Sequence, residues 1–315
     1  FTSGATEAIN IAIRGIAGSS QDRGDHIITW ASEHSAVLET IEHLRVSGFR
    51  ISVLPVRRDG IPDTSGLIEE ISENTILIAC MAANNETGVI SPLAEISRIA
   101  AEHDIPLFSD CTQAVGKMPF RFRDNGVHIA SFSAHKFYGP KGIGGLYASR
   151  RSPRISLEPI LFGGGHEKGL RPGTLNVPGI IGMARALDIA EESMWEEMSR
   201  ISGLRTRIEQ GIESCGEVHI NGSVKDRLPN TTNLMIRGVK NERLITSLPE
   251  LDFAVGSACT SVIPKPSHVL KAMGLTDEEC NSSIRLSIGR FTDDQEAGST
   301  IELFKKAISE LRNTT

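Results

Sequence analysis

The chain has 315 residues, a formal net charge of −6 and 39 % hydrophobic residues. A mildly acidic chain of mixed charge offers no footprint for nucleic acid or an anionic membrane surface, and no apolar run is long enough to span a bilayer. The length points to two domains or one large one. The five cysteines, Cys80, Cys111, Cys215, Cys259 and Cys280, are odd in number and widely spaced. Neither a disulfide framework nor a zinc site is expected, and a reducing cytoplasm fits.

The chain opens on Phe1-Thr2-Ser3-Gly4, without an initiator methionine or a signal-peptide pattern, in what reads as the end of a strand. An N-terminal segment is therefore expected to precede it. Ile9, Ala12, Ile13 and Ile16 then repeat with helical spacing. Ser3 or Thr6 is expected to cap that helix, with Glu7 in its first turn. A Gly-Ala-Thr turn at a helix start suits a phosphate, since its amides are free and the dipole is favourable, although a plain capped helix reads equally well.

Strands and helices then alternate. Strands are expected at 26–30, 50–56, 75–81, near 107, at 128–132 and at 145–148. Helices are expected at 35–46, 67–71 and 92–103. This rhythm predicts an α/β fold, a mainly parallel sheet covered by helices on both faces. Residues 180–213 read as a long amphipathic helical region with a break near Gly203. Beyond it, short strands at 218–220, 231–236 and 284–288 mix with helices at 242–248, 267–273 and 294–311, an α+β pattern. The division is placed at residue 194: 1–194 as a large domain and 195–315 as a small C-terminal one.

Several stretches carry chemistry. Ser109-Asp110 and Ser133-Ala134-His135-Lys136 each end an apolar run, so two successive strands deliver an aspartate and a lysine to one sheet edge. In open α/β sheets the carboxyl edge is where ligands bind. A lysine and an aspartate are the minimal equipment for pyridoxal phosphate, as Schiff-base amine and as partner of the ring nitrogen. His34, between a strand and a helix, suits stacking on a flat ring and proton transfer, or simply a helix start. Asn84-Asn85-Glu86-Thr87-Gly88 brings amides to the same edge, and Gln113 lies three residues past Asp110. The glycine-rich stretch 163–174 matches neither a P-loop nor a dinucleotide fingerprint. It holds Arg171 and Thr174, which suit an anionic ligand, as a surface loop would also allow. Cys259 sits among small residues in Gly256-Ser257-Ala258-Cys259-Thr260-Ser261, a setting for a reactive thiol, whereas Cys80 and Cys111 lie in apolar strands. Arg285, in an alternating strand pattern, suits either a bidentate carboxylate clamp or a structural ion pair.

Taken in order along the chain, these stretches, with Gly169-x-Arg171-x-Gly173-Thr174 and Ser283-Ile284-Arg285, resemble the cysteine desulfurases of the NifS/IscS type. Those belong to the class V aminotransferases, fold-type I pyridoxal 5'-phosphate enzymes. The resemblance implies that Lys136 holds the cofactor and acts as acid and base, that Asp110 pairs with the pyridine nitrogen, and that His34 stacks on the ring and transfers protons. It implies that Gln113 bonds the ring hydroxyl, and that Ala5, Thr6, Ser133 and His135 bind the phosphate, with Thr174 reaching across a homodimer interface. Asn85 and Arg285 would hold the carboxylate of L-cysteine, with Asn85 also near the cofactor. Cys259 would take the sulfur as a persulfide, leaving L-alanine, and pass it to a sulfur-acceptor protein serving iron–sulfur clusters or tRNA or DNA sulfur modification. Neither direct nucleic-acid contact nor a membrane is implied. The alternatives are a selenocysteine lyase or another class V transferase, and a non-catalytic sulfur-relay scaffold. Cys259 argues against a transaminase, and intact Lys136, Asp110, His34 and Cys259 argue against a scaffold.

Overall fold

A computed structural model describes residues 1–20, 22–150, 155–255 and 266–313. The chain forms two units. The first comprises Phe1–Pro55, Pro62–Asn84 and Ser91–Met194; the second comprises Val56–Ile61, Asn85–Ile90 and Trp195–Thr315. Two short segments of the N-terminal half, one of them bearing Asn85, thus belong to the second unit.

The first unit is built on runs of β-branched and apolar residues. β1 (His26–Trp30) and β3 (Thr75–Ala79) are buried at every position. Side chains alternate across a strand, so continuous burial requires cover on both faces. With β2 (Arg50–Leu54), β4 (Leu107–Asp110), β5 (Ile129–Ser133) and β6 (Gly144–Ala148) they form a six-stranded sheet in the order β2-β1-β3-β4-β5-β6. The pairings are parallel except β5 with β6. Ile9, Ile13 and Ile16 of α1 (Ala5–Ser19) and Val37, Ile41 and Leu44 of α2 (Ser35–Val46) pack on Ile27, Leu77, Phe108 and Ile129. α3 (Leu67–Glu70) and α4 (Leu93–Glu102) occupy later crossovers. Several polar side chains lie inside this core, His26 among them. His26 is fully buried, its Nδ1 2.8 Å from Thr75 Oγ1 and its Nε2 2.9 Å from Ser52 Oγ.

α5 (Val177–Glu213) is one helix of 37 residues, without the break expected at Gly203. Ile201, Leu204, Ile208 and Ile212 keep the helical spacing of buried residues through that point. Their burial outweighs the roughly 1 kcal/mol that a mid-helix glycine costs. The second half of α5 belongs to the second unit. There it packs with α9 (Asp294–Asn313) on a three-stranded antiparallel sheet of order β7-β8-β9, built from Val218–Ile220, Thr231–Ile236 and Ser283–Ser287. The two helices come close where a Cβ on Gly211 would meet Ile301 at 2.6 Å. The short helices α6 (Asn241–Ser247), α7 (His268–Ala272) and α8 (Asp277–Asn281) complete this unit.

Within the second unit a buried ion cluster braces the segment Asn85–Ile90. Glu209 accepts from Arg227 Nη2 at 2.8 Å and lies 3.5 Å from Arg205 Nε, with both residues of the closer pair 4 % exposed. Arg227 forms a bridge with Val89, and the Ile90 and Leu228 amides donate to Asp226 O and Gly88 O. Removing one member of a buried ion group leaves the others uncompensated. Glu209→Ala is therefore expected to lower stability by about 3–5 kcal/mol in chemical denaturation. A loss below ~1 kcal/mol would show the cluster to be dispensable.

Burial, with a smaller push from Arg50, lowers the His26 pKa from 6.5 to about 4. Between those values the unfolded chain binds a proton that the folded chain refuses, so stability rises with pH there. The contribution is complete above pH 6.5 and is lost as pH falls towards 4. Acidification through that window should cost about 3 kcal/mol, and His26→Gln should flatten this part of the stability–pH curve.

Candidate active site

Parallel pairing sends the ends of β1, β3, β4 and β5 to one edge of the first unit's sheet. The loop with Glu33 and His34 follows β1, Asn84 follows β3, Asp110 ends β4, and Ser133 ends β5. β6 runs the other way, so its first residue, Gly144, lies opposite Ser133 on the same edge. The chain's start joins it there: Thr2 and Gly144 exchange backbone bonds of 3.1 and 2.9 Å.

That bridge seats the start of α1 against the sheet. A Cβ on Gly144 would lie 2.7 Å from Gly4 Cα and 2.5 Å from Phe132 O, and one on Gly4 would lie 3.3 Å from Ser133 Oγ. Neither Ser3 nor Thr6 caps the helix. Gly4 is the N-cap, and no side-chain cap bond is made there. Thr6 is already inside the helix, and the Ser3 amide is taken by Glu7 Oε2 at 2.5 Å. Free amides at Ala5, Thr6 and Glu7 and the positive helix end therefore stand beside Ser133 and His135, whose Oγ and Nδ1 are 3.0 Å apart. Burial and the nearby Lys136, Lys141 and Lys117 push the His135 pKa down, the signature of a positive corner. Arg171 does not point to a ligand. Its Nε donates to Glu7 Oε1 at 2.8 Å. Burial pushes the Glu7 carboxyl up, but the bonds from Arg171 and Ser3 outweigh it and hold it below the usual range. Thr174 is exposed.

The ring-binding candidates share the edge. Asp110 is 6 % exposed, and its Oδ1 takes the Thr112 amide at 3.0 Å, the Thr112 hydroxyl at 2.5 Å and the Ser131 hydroxyl at 3.4 Å. These hydrogen bonds to Asp110 all fall on that oxygen, and among the described residues none is made to Oδ2. His34 is the N-cap of α2. Its Nδ1 accepts from the Ala36 amide at 3.1 Å, which places the ring proton on Nε2. Gln113 lies in a turn after β4 and receives a hydrogen bond from Lys117 Nζ. Lys136 is exposed, in the single 3₁₀ turn Ala134–Phe137 that follows β5.

The sequence by itself assigned no role to Glu33, the residue before His34. Its carboxyl is 1 % exposed and accepts the Met81 amide at 2.5 Å. Burial pushes its pKa well up; the Met81 amide draws it back and Asp110 adds to the rise. Asn84 Nδ2 donates to Ser32 O at 3.0 Å. Glu33 and Asn84 thus pin the His34 loop to the end of β3. A carboxyl beside an apolar helix start was the available signal.

The second unit brings two further candidates together. Arg285 Nη1 donates to Asn85 O at 3.0 Å, and Asn85 Oδ1 is buried without a hydrogen-bond partner among the described residues. Cys259 lies outside the described residues. The other four cysteines are free thiols, and burial pushes all four upward, Cys280 to about 11. None of these four is a ready thiolate near neutral pH.

The model of the aminotransferase class-V family matches residues 1–298. The chain belongs to that family. It is 48 % identical over 313 residues to the cysteine desulfurase IscS of Pectobacterium atrosepticum, covering 99 % of this chain and 77 % of that protein. Among solved structures it resembles a NifS-like protein with a TM-score of 0.91, at 34 % identity over 98 % of this chain and 82 % of the other. It also resembles DndA from Streptomyces lividans, with a TM-score of 0.80 and 40 % identity over 91 % and 81 % of the two chains. Class V aminotransferases use pyridoxal phosphate, and the first unit's residues fit that group. Uncapped amides, a hydroxyl and a lysine-rich corner suit a phosphate; a buried carboxylate with one oxygen left over suits a pyridinium; Lys136 supplies an amine nearby.

The Gly144 contacts make a direct test of the class V cradle. Both clashing groups are backbone, so neither yields cheaply. Gly144→Ala is expected to displace the start of α1 and weaken cofactor retention at least tenfold (about 1.4 kcal/mol), measured from the cofactor absorbance left after dialysis. Wild-type retention would mean that the close approach does not shape the phosphate corner.

Proposed function

We propose that this class V enzyme is a cysteine desulfurase that converts L-cysteine to L-alanine and receives the sulfur on Cys259. The reading is carried by the convergence of Asp110, His34, Ser133, His135 and Lys136 on the edge where the uncapped start of α1 also lies. The relatives named above include a cysteine desulfurase at 48 % identity. When bound, pyridoxal phosphate supplies an electron sink that lets the substrate's carbon–sulfur bond break.

The chain's own residues do the rest. The amides of Ala5 and Thr6 with Ser133 and His135 bind the phosphate, and Thr174, which is exposed, is offered to the partner subunit's cofactor. Asp110 Oδ2 holds the ring-nitrogen proton. Gln113 donates to the ring hydroxyl, and its carbonyl is already occupied by Lys117, which orients the amide. His34 stacks and, carrying its proton on Nε2, moves a proton there. Lys136 Nζ holds the cofactor and exchanges protons with the substrate carbon. Arg285 and Asn85 bind the substrate carboxylate. Cys259 Sγ forms the new sulfur–sulfur bond as the carbon–sulfur bond breaks. L-cysteine and one thiol thereby become L-alanine and one persulfide, with no net oxidation. The four other cysteines are disfavoured as thiolates, which leaves Cys259 as the soft nucleophile this step needs.

A homodimer is supported by apolar side chains left in water on the first unit. Val177 and Ile181, one turn apart on α5, are 54 % and 64 % exposed, and Phe162 is 88 % exposed. The free thiols fit the reducing cytoplasm. No helix among the described residues is long and apolar enough to cross a membrane. The persulfide is passed to a sulfur-acceptor protein.

The deciding experiment measures alanine release from L-cysteine with a reductant present. The intact enzyme should release alanine and sulfide. Cys259→Ala should keep the bound cofactor and lose at least 100-fold in rate, while Lys136→Ala should lose both rate and cofactor absorbance (losses of about 3 kcal/mol or more). Equal alanine release by Cys259→Ala and the intact enzyme would move the nucleophile elsewhere and make selenocysteine the next substrate to try.

A further inference from the structure

The described residues flanking 256–265 are fastened to one small cluster in the second unit. Before the stretch, Ala254 and Arg285 exchange both backbone hydrogen bonds, Arg285 N to Ala254 O at 2.7 Å and Ala254 N to Arg285 O at 3.1 Å. After it, Ser267 Oγ donates to Glu86 Oε2 at 2.5 Å and accepts from the Leu270 amide at 3.2 Å as the cap of α7. Glu86 is 1 % exposed and Ser267 2 %.

Glu86 follows Asn85, whose carbonyl takes Arg285 Nη1 at 3.0 Å. Asn233 faces Arg285 across the β8–β9 ladder and donates Nδ2 to Glu86 O at 3.3 Å. Asn221 Nδ2 donates to Asn233 Oδ1 at 2.8 Å, which settles which end of the Asn233 amide turns to Glu86. Asn85 and Glu86 are thus held at both carbonyls and at the Glu86 carboxyl. The holding groups are the arginine of the substrate-carboxylate clamp, its ladder neighbour, and the residue from which the chain returns after 256–265.

We propose that Glu86 is a positioning residue for this reaction: through Ser267 it ties the chain's return from the Cys259-bearing stretch to the Asn85–Arg285 clamp. This rests on the reading of Cys259 and Arg285 given above. A nucleophile on one piece of chain must meet a sulfur whose carboxylate is held by another. Ala254 and Ser267, on the two sides of 256–265, are both anchored to the clamp itself, and misplacement by about 1 Å can cost about 100-fold in rate. Burying a carboxyl is costly unless it is hydrogen-bonded, so an apolar residue would serve stability alone as well or better.

The test compares the holoenzymes Glu86→Ala, Glu86→Gln, Ser267→Ala and Ser267→Thr with wild type. The alanine variants are expected to lose about tenfold or more in kcat with KM for L-cysteine within about threefold. The glutamine and threonine variants, which keep an acceptor or the hydroxyl, should return to within about threefold of wild type. In the Cys259→Ala background, the absorbance change on adding L-cysteine should show unaltered affinity in every variant. In the cofactor-free proteins, amide exchange over 84–90 and 266–271 should quicken about tenfold in Glu86→Ala and recover in Glu86→Gln. Parallel losses in kcat and KM, absence of rescue by the conservative variants, or unchanged exchange would overturn the proposal. Wild-type kcat in Glu86→Ala and Ser267→Ala, with Cys259→Ala inactive, would overturn it alone. Full activity of Cys259→Ala by itself would instead sink the reading beneath it.

Discussion

Parallel pairing of β1 with β3, β3 with β4 and β4 with β5 governs what the first unit can do. Each of those strands ends on the same edge, and each is followed by a polar or charged group that a buried sheet cannot otherwise hold. His34, Asn84, Asp110 and Lys136 are far apart in the chain, yet the direction of the strands leaves them no other place to go. β6, running antiparallel, adds the one element the parallel strands cannot. It begins at this edge, so Gly144 can pair with Thr2 and bring the start of α1 against Ser133. The backbone amides at the start of α1 therefore lie beside the polar side chains at the ends of the strands, and both placements follow from strand direction.

The two units use their polar groups differently. In the first, buried polar side chains mostly brace the sheet edge: Thr112 and Ser131 bond one oxygen of Asp110, and the Met81 amide bonds Glu33. In the second, polar groups join segments distant in sequence. Arg205, Glu209 and Arg227 form an ion cluster at one end of Asn85–Ile90, and Asn233, Arg285 and Ser267 hold its other end. An apolar core could not do this, because hydrophobic contact is non-directional whereas a short hydrogen bond fixes one atom against another. The cost of desolvating those groups is offset by hydrogen bonds that fix the position of Asn85.

Much of the candidate site is legible in the sequence alone. Lys136, Asp110 and His34 stand out because a charged or titratable residue ending an apolar run is conspicuous, and the strands that carry them fall where the alternation places them. The features that a sequence hides share a cause. Gly144 looks like a turn glycine, and only the approach of Gly4 and Phe132 reveals why a side chain cannot stand there. Lys117 reads as a surface lysine until it is seen bonded to Gln113. Arg205, Glu209 and Arg227 read as solvated charges, since charged residues are seldom buried. The expected cap by Ser3 or Thr6 fails because the cap position falls on Gly4, which leaves Ser3 outside the helix and Thr6 already within it. The expected break at Gly203 fails because the apolar spacing on either side continues through it.

Local periodicity and the chemistry of single residues determined the α/β rhythm, the carboxyl-edge location and the choice of Lys136 and Asp110 as candidates. These depend on interactions within a few residues or on the direction of one strand, which a sequence carries explicitly. The tertiary structure alone decided that Asn85 belongs with Arg285 in the second unit, that Cys215 and Cys280 are poor thiolates, and that Glu86 meets Ser267 across 181 residues. Those outcomes depend on which distant groups share a desolvated space. No local pattern encodes that, because burial is a property of the whole packed chain.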